Sequence, residues 1–113
     1  MTADVAAGND VWAVAWDDMD LDVAAGHDIP LVWTFGDLTG TIDAANRIGD
    51  DDPRFGRIKS YGSIDATIIA GHLPVGDPKR DAFYGQIDLV EAWDDIDGTI
   101  TAATSIGTVR SGA

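Results

Sequence analysis

The sequence predicts an all-β fold, a single-stranded parallel β-helix (β-solenoid) with coils of about 19 residues. Three observations predict it: an internal repeat, apolar residues spaced by two or four, and glycine and aspartate at every boundary. Asp4-Val5-Ala6-Ala7-Gly8-Asn9-Asp10-Val11 returns 18 residues later as Asp22-Val23-Ala24-Ala25-Gly26-His27-Asp28-Ile29, identical at six of eight positions. Residues 37–49, DLTGTIDAANRIG, return at 95–107 as DIDGTITAATSIG, identical at eight of thirteen.

Two half-units alternate. The first reads apolar, three residues, apolar, one residue, Ala. It occurs at Met19, Val23, Ala25; at Leu38, Ile42, Ala44; at Ile64, Ile68, Ala70; and at Ile96, Ile100, Ala102, with Val5 and Ala7 as the tail of an earlier copy. Even spacing keeps side chains on one face of a strand, and β-branched residues suit strands. The second half-unit reads apolar, two residues, Val or Ile. It is assigned to Val11 and Val14, Ile29 and Val32, Phe55 and Ile58, Tyr84 and Ile87, and Ile106 and Val109. One such coil cannot shield its own apolar face. Stacking buries it, Ile on Ile and Ala on Ala, while backbone groups pair with coils about 4.8 Å away. The competing fold is an antiparallel meander of short strands, which has no need of in-phase rows. The favoured hand is right.

Insertions interrupt the register. The third copy of the first half-unit follows the second by 26 residues, and the fourth follows by 32. The excess falls in 49–54 (GDDDPR), in 71–83 (GHLPVGDPKRDAF) and in Val90–Asp94. The first two are expected to leave one corner, between the half-units, as two protruding loops side by side. The whole chain, 1–113, reads as one domain. It starts and stops within half-units, which suggests a piece of a longer array, with self-stacking as the alternative.

Composition narrows the function. Net charge is −13, with 19 Asp and one Glu, Glu91. That repels nucleic acid and anionic membrane surfaces. Asp in place of Glu favours turns over helices. It also suits Ca²⁺, which takes hard oxygen ligands; a high-salt habitat gives the same bias. There is no Cys, so thiol catalysis and cysteine metal sites are excluded. No apolar run is long enough to span a membrane and no secretory signal is visible.

Candidate site residues follow from the repeat. Asp18, Asp37 and Asp95 precede the first half-unit, and Asp10 and Asp28 the second. Carboxylates stacked one coil apart would repel by about 1–4 kcal/mol per pair, a penalty that bound Ca²⁺ would reverse. Bonds to turn N–H groups are the simpler role. Asp50, Asp51 and Asp52 form the densest acidic cluster, either a loop tip or a metal site. Lys79 and Arg80 would lie opposite it. Trp33 occupies the position of Ala15, Lys59 and Arg110 in other copies, so it should face outward as a sugar-stacking surface. Trp16 and Trp93 should cover a coil edge. His27 replaces Asn9 and reads as a turn residue. Neighbouring strand residues face opposite ways, so Asp17-Asp18 and Asp94-Asp95 are poor acid–base pairs. Catalysis is not expected.

The phrases GTIDAANRIG, DIDGTITAATSIG and GTVRSG resemble the repeat arrays of very large secreted or cell-surface bacterial proteins of planctomycete type, adhesin-like parallel β-helices. The resemblance covers most of the chain; the insertions depart from it. It implies an extracellular structural or adhesive module, with neighbouring repeats or other copies as partners and no catalytic residues. A glycan-binding or glycan-cleaving β-helix and a bactofilin-like filament subunit are the alternatives.

Overall fold

A computed structural model describes residues 2–8, 10–50, 56–73, 75–78 and 80–112. The described residues form twelve strands and no helix. Strands β1 (Thr2–Ala7), β3 (Met19–Ala25), β6 (Leu38–Ala44), β9 (Ile64–Ala70) and β11 (Ile96–Ala102) make one sheet, in that order. The second sheet holds β2 (Trp12–Ala15), β4 (Asp28–Ile29), β5 (Leu31–Thr34), β7 (Arg47–Ile48), β8 (Arg57–Ser60), β10 (Gln86–Ala92) and β12 (Ser105–Ser111). All pairings are parallel, and the chain alternates between the sheets, so each repeat adds a strand to both. An antiparallel meander is thereby excluded.

The first sheet has the expected register throughout. Val5, Val23, Ile42, Ile68 and Ile100 pair in one row, and Ala7, Ala25, Ala44, Ala70 and Ala102 in another. Met19, Leu38, Ile64 and Ile96 form a third. Ile42 and Ile68 are fully buried. Alternate residues face in and out, as the pleat requires.

A fourth inward row was not read from the sequence: Leu21, Gly40, Ala66 and Gly98. Its two glycines have φ of 109° and 121°, a region that L-residues avoid. A Cβ on Gly40 would lie 2.3 Å from the Leu21 carbonyl oxygen. These positions take glycine because the backbone there leans onto the strand beside it.

The second sheet corrects the assignment of the second half-unit. Its rows are Ile29, Ile48, Ile87 and Ile106, then Ala13, Val32, Ile58, Val90 and Val109. Ile87 therefore belongs to the first of these rows, not the second, and Tyr84 to neither. Val14 pairs with Trp33 and points outward, 53% exposed; Ala13 takes the inward site. The assigned Phe55 lies outside the described residues.

The insertions also sit differently. Gly49 N–H donates to the Ile29 carbonyl at 3.0 Å and Gly56 N–H to that of Pro30 at 2.7 Å. The 49–56 segment thus opens inside the second half-unit, between β7 and β8. The 71–85 segment opens at the corner between the sheets, where Gly71 N–H bonds Ala44 O and Gly85 N–H bonds Asn46 O. The two do not leave one corner. Val90–Asp94 holds no insertion up to Ala92, since β10 runs to that residue.

Burying an Ile removes about 1.5–3 kcal/mol of apolar exposure, and deleting one also leaves a cavity. Ile42→Ala should cost about 2–5 kcal/mol by urea unfolding. Ile106→Ala, at a site 41% exposed on the edge strand β12, should cost much less. Equal losses would contradict the burial pattern.

Candidate functional site

Both corners between the sheets carry organised side chains. At the first, four strands of the second sheet, β2, β5, β8 and β10, end in a small residue followed by an aromatic: Ala15-Trp16, Thr34-Phe35, Ser60-Tyr61 and Ala92-Trp93. The small residues are buried, because this corner is tight. Thr34 Oγ1 donates to the Asp17 carbonyl; Ser60 Oγ donates to Gly36 O and Ser111 Oγ to Asp94 O, both at 2.6 Å. These hydroxyls donate to carbonyls of the turns between the sheets.

The aromatics stack into a ladder. Trp16 and Phe35 lie 5.0 Å apart, nearly parallel at 2°, and Phe35 and Tyr61 5.0 Å apart at 3°. Trp93 follows Tyr61 at 5.1 Å, tilted by 54°. Trp33 leans on Phe35 and Tyr61 at 44°. Ring faces in the middle of the ladder are thus turned to other rings, and edges to solvent. Lys59 Nζ sits 5.3 Å from the Trp33 ring and 4.9 Å from Tyr61, and pairs with Glu91 Oε1 at 3.1 Å. Arg110 approaches Glu91 from the other side at 3.6 Å. The outward row is Val14, Trp33, Lys59, Glu91, Arg110, so Trp33 does face outward, but Val14 rather than Ala15 is its counterpart.

The acidic row lies in the same turns. Asp18 Oδ1 accepts the Asp37 N–H at 2.8 Å, and Asp37 Oδ1 accepts the Ser63 N–H at 2.8 Å. Each carboxylate caps the turn of the next repeat. Ser63 separates Asp37 from Asp95, so the row is not continuous. Asp50 lies at the start of the first insertion, its carbonyl 3.3 Å from Arg47 Nη2. Asp51, Asp52 and Lys79 fall outside the described residues. Arg80 stacks on Tyr84, 3.8 Å from its centroid.

At the other corner a cluster gathers around His27. Its Nδ1 lies 3.2 Å from Asp10 Oδ1 and 3.6 Å from Asp28 Oδ2, and its Nε2 lies 3.4 Å from Asp81 Oδ2. Asn46, fully buried, donates Nδ2 to Asp28 Oδ1 at 2.9 Å and to Asp81 Oδ1 at 3.0 Å. Burial opposes a charge on His27, but Asp28, Asp10 and Asp81 outweigh it and hold its pKa above the ordinary value. Burial raises Asp28 against the bond from Asn46. Asp81 is also desolvated, yet the Asn46 and Phe83 bonds and His27 bring it below the usual range. Asp10, His27 and Asp28 are the one group of three or more acid and histidine donors, among the described residues, with ligand atoms close enough to share an ion. Reading His27 as a turn residue missed it, because Asp81 arrives from the inserted segment and no local spacing signals it. Among known proteins, no family model, no curated protein and no solved structure matches the chain.

A pKa raised on folding contributes stability below the unfolded value, lost as pH rises through the folded value. In metal-free buffer, melting temperature should therefore fall as pH passes upward through the range just above 6.5, the ordinary value for His27. His27→Asn should remove that step. A step of equal size in the variant would assign it elsewhere.

Proposed function

We propose that the chain is a β-solenoid repeat module, its two sheets forming walls of one single-stranded right-handed coil. Its role is structural or adhesive, within a large exported surface protein, without catalysis. The alternation of strands between two parallel sheets supports the coil, and parallel crossovers are overwhelmingly right-handed. The observation that carries the role is the in-register parallel pairing of equivalent residues from successive repeats. Ile106 and Val109 belong to rows buried elsewhere, yet are 41% and 45% exposed on β12. Apolar row residues exposed on an edge strand favour a further strand layer. The layer can come from neighbouring repeats or from another copy.

Calcium on the acidic row and glycan on the aromatics are weaker readings. Asp18 and Asp37 each commit an oxygen to a turn amide, and the ladder rings face one another. The module therefore works by stacking.

Sedimentation over a concentration series tests this. Self-association should appear and strengthen with salt, because the chain carries −13 and salt screens like charges. Val109→Lys, which places a charge on the edge row, should weaken it by at least about tenfold. A monomer at every concentration and salt level would overturn stacking of one copy on another.

A further inference from the structure

The His27 corner poses a problem in donors and acceptors. A neutral imidazole has one N–H and one lone pair. In the tautomer that carries its N–H on Nε2, Asp81 accepts it. The Nδ1 lone pair then points toward Asp10 Oδ1 and Asp28 Oδ2, two more acceptors. Asp10 Oδ1 also accepts the Asp28 N–H at 3.1 Å, but an imidazole lone pair facing two carboxylates calls for a cation between them, either a proton or a metal ion.

We propose that Asp10, His27 and Asp28 form a binding site for a divalent transition-metal ion of the Zn²⁺ class. The spacing fits. With metal–ligand bonds of about 2.0–2.2 Å, tetrahedral neighbours lie about 3.3–3.6 Å apart. Nδ1 lies 3.2 and 3.6 Å from the two carboxylate oxygens, and all three donor atoms lie within 4.8 Å of one another. Water completes the coordination.

The supporting groups are also in place. A metal-bound histidine normally donates its other N–H to a carboxylate, which fixes the tautomer and ring plane. Asp81 stands at Nε2 for that purpose. Buried Asn46 holds Asp28 by Oδ1, leaving Oδ2 turned to His27, and holds Asp81 by its own Oδ1. The Phe83 N–H adds a further bond to Asp81 at 2.9 Å. One buried amide thus orients a ligand and the residue behind another. Imidazole in the donor set selects the ion: nitrogen suits Zn²⁺ and its neighbours, whereas Ca²⁺ takes oxygen. The site is independent of the stacking edge. It joins Asp10 from one repeat to His27 and Asp28 from the next, and through Asn46 and Asp81 to a third repeat and the 71–85 insertion.

Titration calorimetry of the whole chain with Zn²⁺ at neutral pH should give one saturable ion per chain. The melting temperature should rise with Zn²⁺ and not with equal Ca²⁺. By NMR, the His27 ring signals should shift, and those of His72 should not. His27→Asn restores the residue type of Asn9 and Asn46 and should lower Zn²⁺ affinity by more than about tenfold. Asp81→Asn should lower it by about 10–100-fold while leaving one site. Far-UV circular dichroism checks that both variants fold; should either unfold, the wild-type NMR shift decides. No saturable binding, Zn²⁺ acting on His72 alone, unchanged affinity in a folded His27→Asn, or an equal response to Ca²⁺ would each overturn the site.

Discussion

Equivalent side chains of successive repeats sit one above another, and everything else in this protein follows from that constraint. A parallel strand pair in register places Ile42 over Val23 and under Ile68 without choice. Each row then buries what no repeat could bury alone. The same geometry acts on residues that are not apolar. Aromatics at one corner become a ladder, hydroxyls become caps, and carboxylates fall beside the amides of the next turn. Stacking therefore converts a sequence repeat into columns of like chemistry, each with its own energetic problem.

Those problems are solved in different ways. The apolar columns need only volume, and Ile, Val, Leu and Met exchange freely there. The inward row of Leu21, Gly40, Ala66 and Gly98 alternates side chain with glycine, because adjacent backbones close over it. The acidic column cannot tolerate unbroken repetition. Asp18 and Asp37 spend oxygens on turn amides, and Ser63 interrupts the row before Asp95. On the outer face of the second sheet, Lys59, Glu91 and Arg110 alternate in sign. Directly opposed like charges would destabilise parallel neighbours, and this order avoids them.

The first half-unit was legible because four of its five strands are seven residues long and three of their four inward sites hold recognisable residues at fixed offsets. Insertions fall outside them, so the offsets survive. The second half-unit was not legible in the same way. Its wall breaks after two residues at Ile29 and Ile48, and the 49–56 segment enters at that break. Counting two residues on from an apolar start then slips by a strand position, which put Val14 inward and Ile87 in the wrong row. The aromatic ladder could have been found. Trp16, Phe35, Tyr61 and Trp93 are spaced by 19, 26 and 32, the same intervals that separate Met19, Leu38, Ile64 and Ile96. Three different aromatic types concealed a row that chemistry, not identity, defines.

The His27 corner shows why the remainder was hidden. Asp10, His27-Asp28 and Asn46 share the corner through the repeat, but Asp81 belongs to the insertion. A repeat supplies only residues at repeat intervals, so its own columns tend to uniformity. An insertion folded back onto a corner breaks that uniformity and brings a foreign side chain to a fixed place. Here it brings a carboxylate to the one histidine that replaces asparagine in the repeat. Specific chemistry in a stacked fold arises where a departure from the repeat meets the columns.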